Sequence, residues 1–236
     1  MNATLQASAE LSLPALLRRI AALSAIAGYV EVIGFMDVGG IYPGIMTGNT
    51  VQLGLTLAKA QWERFGTIGF AVGMFFIGGI LSSLIKRHLR WPPMELMLMA
   101  ALLLVASAIR LYTPWRIGIE LPLLAIAMAM QGETLSRFGG VSLQTIVVTN
   151  NMVKFSDALV GRYLSRPGST PSTAKIPELK EVLMPGLAWL TYSIGAGAGA
   201  TAASLFRLPL LVPAVMLAFL VGDLAWTRRG STRTAS

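Results

Sequence analysis

The sequence predicts an all-α polytopic membrane protein, and three observations support that fold class. Of its 236 residues, 54% are hydrophobic and only 13% are charged, which is about half the charge of an ordinary soluble domain. The mean hydropathy is +0.65. Apolar runs long enough to cross a bilayer recur along the chain and are separated by short polar breaks. We therefore expect a single integral membrane domain over residues 1–236.

Eight apolar segments are visible, four in each half of the chain. They cover residues 20–38, 41–60, 66–85, 94–112, 117–135, 141–159, 183–206 and 208–226. Proline next to tryptophan, at Pro92 and Pro114, marks turns at a membrane interface before and after the fourth segment. The polar stretch 161–182 has no counterpart in the first half, and we expect it to be a cytoplasmic loop.

Two polar blocks match at a constant spacing and indicate an internal repeat. Thr47 and Asn49 recur as Thr149 and Asn151, 102 residues later. Matched polar breaks in the two halves of an apolar chain are typical of a transporter's binding site. The predicted repeats cover residues 16–116 and 117–227.

The second and sixth segments are poor spanning helices. The second contains Pro43 and several polar residues, and the sixth contains Lys154 and Asp157. A charge facing lipid at mid-depth costs a few kcal/mol, about 2.5–3.5 even on the more lenient scales. Broken or re-entrant helices would avoid that cost, because irregular backbone is tolerated at membrane depth where it lines a cavity or is covered by protein.

Two topologies follow from these segments. If the second and sixth are re-entrant, six helices span and the two repeats are inverted, which is the topology we favour. If all eight span, the repeats are parallel. Of the 19 Lys and Arg residues, with Lys154 left aside, 13 fall inside and 5 outside in either topology, so the positive-inside rule does not choose between them. Both topologies place the two termini on the cytoplasmic side of a bacterial inner membrane.

Three acidic residues are candidates for proton or ion coupling. Glu31 and Asp37 lie in the first apolar run, and Asp157 lies in the sixth. Ionisable groups within a membrane usually face the interior of the helix bundle and mark ion pathways. The alternatives are structural: Glu31 as an ion-pair partner of a residue such as Lys154, and Asp37 as an interfacial residue.

Five residues near the predicted breaks are candidates for substrate binding. Thr47, Asn49, Thr149 and Asn151 offer hydroxyl and amide groups, and Lys154 offers a cation for an anionic solute. The hydroxyls and amides could instead cap half-helices. Lys154 could instead form a buried ion pair with Asp157, three residues along the same helix face.

The stretch from Gly28-Tyr29-Val30-Glu31 through the Met-Thr-Gly-Asn-Thr-Val block at 46–51 resembles the YoaK family of uncharacterised bacterial inner-membrane proteins. The second half is similar too, at Arg137-Phe138-Gly139-Gly140-Val141. The family tends to have Asp at the position of Glu31, and Thr-Gly-Thr where this chain has 149–151. The resemblance implies a small polytopic membrane protein and implies no reaction.

Together these features predict a secondary transporter or facilitator of an unknown small solute. The alternative is a membrane sensor or assembly protein that transports nothing. With no Cys, one His and no nucleophile motif, we expect no enzyme activity, cofactor or metal site. The net charge of +8 is explained by topology signals and lipid headgroups, and we expect no nucleic-acid partner. Glycine-rich helix faces allow a homodimer.

Overall fold

The computed structural model describes residues 13–88, 93–135, 148–164 and 176–233, and within them the ordered elements are helical. The α-helices are α1 (Leu13–Asp37), α2 (Met46–Ala58), α3 (Trp62–His88), α4 (Pro93–Ile109), α5 (Leu121–Leu135), α6 (Val148–Leu159), α7 (Leu179–Leu205) and α8 (Leu211–Arg233). A 3-10 turn and a π-helical turn, Thr113–Trp115 and Arg116–Glu120, lead into α5. A second π-helical turn, Val160–Leu164, ends α6.

Helix length and composition agree with a membrane protein. Among the described residues, α1 and the Trp62–Ile85 part of α3 are long and apolar enough to cross a membrane. Shorter apolar helices cover Met94–Ile109 and Leu211–Ala225. α7 has 27 residues, or about 40 Å at 1.5 Å per residue. By contrast, α2 and α6 have only 13 and 12 residues, as expected for broken or re-entrant helices.

The centre of the bundle is a close contact between α1 and α7. A Cβ on Gly195 would strike the carbonyl of Ala25, and a Cβ on Gly199 would strike the backbone of Tyr29. The absence of side chains at these two positions lets the backbones touch, as in small-residue helix pairs of membranes. Residue numbers rise together along the two helices, so α1 and α7 run in the same direction.

Two other helices, α5 and α8, run in the opposite direction to α1. Leu23 of α1 accepts a hydrogen bond from Gln131 of α5, while Gly34 lies against Leu124, nearer the start of α5. On α8, Asp223 pairs with Arg19. The carbonyl of Pro209, just before α8, binds the hydroxyl of Tyr29. Both α5 and α8 are therefore antiparallel to α1.

The C-terminal ends of α1, α4 and α7 meet at one end of the bundle, which we call the Asp37 end. Arg110, which follows α4, binds Asp37 at the end of α1 and carbonyls at the end of α7. α3 packs on α5, with Gly78 against Ile126. The large apolar residues buried between these helices form one core of α1, α4, α5, α7 and α8.

The chain reverses between α1 and α3. Gly39 and Gly40 have φ values of 69° and 84°, a left-handed conformation that glycine adopts readily. After this turn the chain enters the bundle, and α2 then carries it back. Arg64, near the start of α3, donates to the carbonyl of Gly39. Hence α3 starts at the same end of the bundle at which α1 finishes.

The second short helix, α6, follows the same plan at the opposite end. Phe155 of α6 lies against Gly186, and Gly161 lies against Pro177, just before α7. α6 is therefore antiparallel to α7 and descends towards the end at which α7 begins. Both short helices begin within the bundle and finish at one of its ends.

Candidate functional site

The N-terminus of α2 meets a buried carboxylate. Glu31 is 3% exposed, and its Oε1 accepts hydrogen bonds from the backbone N–H groups of Gly44 and Ile45, both at 3.1 Å. These amides belong to the unpaired donors at the start of α2, where the helix dipole favours negative charge. The other oxygen, Oε2, accepts no hydrogen bond within the described part of the chain.

Close packing surrounds this carboxylate. A Cβ on Gly44 would lie 2.6 Å from Glu31 Oε2 and 2.9 Å from the Met128 Cε of α5. Pro43 fits against Gly34, where a Cβ would strike its ring. Glu31 is six residues from the end of α1, which puts it about 9 Å inside the Asp37 end. The site therefore lies within the bundle and needs glycine at position 44.

Asn49 shapes the entry loop of α2. It is fully buried, its Nδ2 donates to the Tyr42 carbonyl at 2.7 Å, and its Oδ1 accepts from the Tyr42 N–H at 3.0 Å. The side-chain amide thus pairs with the backbone of the loop as a neighbouring strand would. These contacts cap no helix end, because Tyr42 lies in the loop before the N-cap residue Ile45 and α2 has no side-chain cap. Thr47 is exposed.

Asp37 belongs to a cluster of four charged side chains at the Asp37 end. Arg110 binds both carboxylate oxygens, at 2.5 and 3.2 Å, and Arg116 lies 3.4 Å from Oδ1. Glu120, completely buried, lies 3.9 Å from the Nε of Arg116. Asp37 is thus held in an ion-pair network and does not stand alone at an interface.

In the second half, the candidate residues divide by burial. Asn151 is buried, like its counterpart Asn49, and Thr149 is exposed, like Thr47. Lys154 is half-buried and Asp157 is exposed. The predicted buried pair of Lys154 with Asp157 is therefore wrong, because α6 turns the Asp157 carboxylate to its outer face.

The structure brings some of the predicted residues together. Glu31 and Asn49 both hold the entry loop of α2, and the described partners of Glu31 are backbone amides rather than Lys154. The double glycine at 139–140, Glu133's side chain and the chain leading into α6 lie outside the described residues. Thr47 and Thr149 are both exposed.

Sequence reasoning missed the arginines and the glutamate around Asp37. Arg110 and Arg116 count as loop charges in a positive-inside analysis, and Glu120 sits at the edge of an apolar segment. Arg110 is 73 residues from Asp37, a separation that leaves no local pattern. The one available signal was an isolated acidic residue, Glu120, directly before an apolar run.

A cleft with a volume of about 550 Å³ opens at the Asp37 end. It lies between the C-terminal half of α2 and the first turn of α3, and Arg64 at its rim also binds Gln52. Its lining residues are Gln52, Leu55, Thr56, Gln61, Trp62, Glu63 and Arg64. The cleft therefore leads from the outside of the bundle along α2.

The fold and site define a class of protein: an all-helical bundle in which a short helix starts inside the bundle against a buried carboxylate. The chain belongs to the family described as protein of unknown function DUF1275, whose model matches residues 20–222. It is also similar to the UPF0700 transmembrane protein YoaK of Bacillus subtilis (strain 168), with 27% identity over 178 residues, covering 72% of this chain and 76% of that protein. The predicted resemblance is thus confirmed. No solved structure matches the chain.

Proposed function

We propose that the chain is an integral membrane protein in which α1, α3, α4, α5, α7 and α8 span the bilayer and α2 and α6 are re-entrant. The directions of the helices support this topology, because α3 starts where α1 ends. In the eight-span alternative, α3 would start at the far end of α2, away from Gly39. The name of the Bacillus subtilis relative, a transmembrane protein, supports the membrane location.

Two inverted repeats, α1–α4 and α5–α8, complete this proposal. The matched residues lie alike in the two short helices: Thr47 and Thr149 are exposed, and Asn49 and Asn151 are buried. The contact of α1 with α7 corresponds to that of α5 with α3, and α2 with α3 corresponds to α6 with α7. α1 and α5 are antiparallel, as inverted repeats require.

Cysteine labelling tests this topology, and the absence of native cysteine makes the test clean. We would place single cysteines at Trp62, His88 and Phe138 and treat intact cells with an impermeant maleimide. The proposed topology, with the Asp37 end outside a bacterial inner membrane, requires labelling at 62 and protection at 88 and 138. The reverse pattern would mean that all eight helices span, and the inverted repeat would be lost.

We infer that the protein is a secondary transporter or facilitator of a small solute, coupled to protons. The observation that carries this inference is Glu31, a buried carboxylate held at the N-terminus of a half-helix inside the bundle. Half-helix ends of this kind form substrate and ion sites in transporters. One carboxylate oxygen has no hydrogen bond within the described chain, so it is available for a proton or a solute donor group.

Flux measurements with a Glu31→Gln variant test the coupling role. Purified protein in vesicles that enclose a pH-sensitive dye would be exposed to a panel of small metabolites. Wild type should show solute-dependent proton movement, and E31Q should lose it, because glutamine keeps the oxygen that accepts from Gly44 but cannot carry the proton. Glu181→Gln, an exposed change in the first turn of α7, is the matched control, because glutamine keeps the oxygen that caps the helix. Normal proton coupling in E31Q would remove Glu31 from this role.

A membrane sensor or assembly protein is the second candidate, and Asn49 favours it. Both polar ends of its side chain are used by the Tyr42 backbone, so this matched residue serves structure rather than a solute. The two candidates differ in solute binding. No solute-dependent rise in melting temperature across the metabolite panel would favour the sensor or assembly protein.

A further inference from the structure

Glu120 is a buried carboxyl group that faces a second carboxyl group, that of Asp37. Its side chain has no exposed surface, and neither of its oxygens accepts a hydrogen bond from an N–H or hydroxyl donor in the described part of the chain. The nearest cationic nitrogen is Nε of Arg116, 3.9 Å from Oε2. An ionised carboxylate in such a place is strongly disfavoured, whereas the neutral acid carries no charge to be compensated.

Arg116 is positioned between two carboxyl groups. Its Nη1 lies 3.4 Å from Asp37 Oδ1 and its Nε lies 3.9 Å from Glu120 Oε2. At the same time Nε and Nη2 donate to the carbonyl of Arg110, at 3.3 and 3.1 Å. The guanidinium group is therefore anchored at the end of α4, and a small rotation would bring it onto either carboxyl group.

The groups that face Glu120 are few. Asp37 approaches from α1, and Arg110 and Arg116 approach from the segment that joins α4 to α5. Among the described residues, the end of α7 and the two residues after it contribute the carbonyls of 203, 206 and 207, which bind Arg110. With Glu120 neutral, two guanidinium groups face one carboxylate. With Glu120 ionised, two guanidinium groups face two carboxylates.

We propose that Glu120 is a second proton-binding site and that Arg116 exchanges Asp37 for Glu120 when the proton leaves. The O–H bond of the Glu120 carboxyl breaks, the proton passes to water at the Asp37 end, and the electron pair stays on the carboxylate. Arg116 then bonds to Glu120, and Asp37 remains held by Arg110. This inference rests on the proposed function and adds the residue through which protons would enter and leave.

Infrared spectroscopy of the purified protein in detergent tests this site without any solute. The carbonyl band of a buried carboxylic acid should be present in wild type and should disappear reversibly as the pH is raised. Glu120→Gln should lose this titrating band. Glu95→Gln should keep it; Glu95 is also buried but lies at the other end of α4, beside Ser82. The same spectra are recorded in the Glu31→Gln background, which removes the band of the other proton-carrying glutamate, so that Glu120→Gln must remove the titrating band that remains.

Asp37→Asn tests the exchange of partners and does not depend on the folding of E120Q. Without the Asp37 carboxylate, both arginines are released to Glu120, which should then lose its proton, and the acid band with it, over the pH range in which wild type shows the band. A titrating band that E120Q leaves unchanged in the Glu31→Gln background would overturn the proton site. A wild-type band in D37N would overturn the exchange. Either result can occur whether or not the protein transports a solute.

Discussion

The two ends of the helix bundle carry charged clusters at corresponding helix junctions, but they bury them to different extents. At one end, Arg18 and Arg19 at the start of α1 bind Asp223 of α8. At the other, Arg110 after α4 binds Asp37, beside Glu120 at the start of α5. The Asp223 side chain is 28% exposed and that of Asp37 is 5% exposed. The first cluster is hydrated, whereas the second is enclosed.

This difference shows what each junction requires. In the proposed repeat, the junction of α1 with α8 corresponds to that of α5 with α4, and the charges are reversed. In the first repeat, α1 carries Arg18 and Arg19 at its junction. In the second repeat, Glu120 lies at the start of α5. The ion pairs themselves differ: Arg18 and Arg19 bind Asp223 across the first junction, whereas Arg110 binds Asp37 of α1 rather than Glu120. The two junctions differ in burial. Burial disfavours the charged form of a carboxyl group, so that gain or loss of its proton changes the ion pairs around it.

Arg110→Gln should have the largest effect on stability. The change leaves the enclosed Asp37 carboxylate with the more distant Arg116, 3.4 Å away, as its cationic partner. It also removes the donors to three carbonyls. Removing one partner of a buried ion pair costs about 3–5 kcal/mol. We would measure the free energy of unfolding in mixed detergent micelles. Arg207→Gln is the control, because its side chain is exposed. If R110Q lowers the free energy of unfolding no more than R207Q does, the buried Asp37 cluster does not stabilise the bundle more than the cluster around Asp223.

Gly195→Ala should have the next largest effect, by separating α1 from α7. The new Cβ would strike the backbone carbonyl of Ala25, which cannot move alone. Overpacking of this kind costs about 1–3 kcal/mol. Gly197→Ala, on the open face of the same helix, should leave the free energy of unfolding within about 0.5 kcal/mol of wild type. Equal losses for both variants would contradict the parallel contact of α1 with α7.

Arg18→Gln should have the smallest effect. Its side chain is 65% exposed, and an exposed ion pair contributes about 0–1 kcal/mol. Arg19, whose side chain is 3% exposed beside the same aspartate, should cost more when changed to Gln, about 1.5–3 kcal/mol for a hydrogen bond to a charged group. Unfolding in the same micelles measures both. If R18Q costs as much as R110Q, burial does not distinguish the two ends.

The apolar pattern predicted the helices and the matched offset predicted the two short ones. Every predicted segment overlaps a described helix, and Asn49 and Asn151, which match at an offset of 102, are both buried. The physical reason is that backbone N–H and C=O groups in lipid must be hydrogen-bonded within their own segment. A long apolar run is therefore helical, and hydropathy detects it locally. The number of spans and the inverted repeat stay predictions.

The site was only partly predictable. Glu31 stands out in sequence because a carboxylate inside an apolar run requires a partner, and the structure supplies the amides of Gly44 and Ile45. The Asp37 cluster was not predictable, because Arg110 and Glu120 reach Asp37 only after distant helices pack. For the same reason, sequence did not reveal that Asn49 serves the loop. A side chain that binds backbone seven residues away looks the same in sequence as one that binds a solute.

The pairing of α1 with α7 has a consequence for how the chain is made. Asp37 ends α1 and Leu179 begins α7, so the ribosome adds 141 residues (179 − 37 − 1) between them, which takes roughly 7–30 s at ordinary rates of synthesis. Throughout that time the face of α1 that packs on Gly195 and Gly199 lacks the helix that covers it. Neither half of the chain contains the partner of its own first helix. The nascent protein must therefore hold its first helices loosely in the insertion machinery and lock them together only when its last quarter arrives.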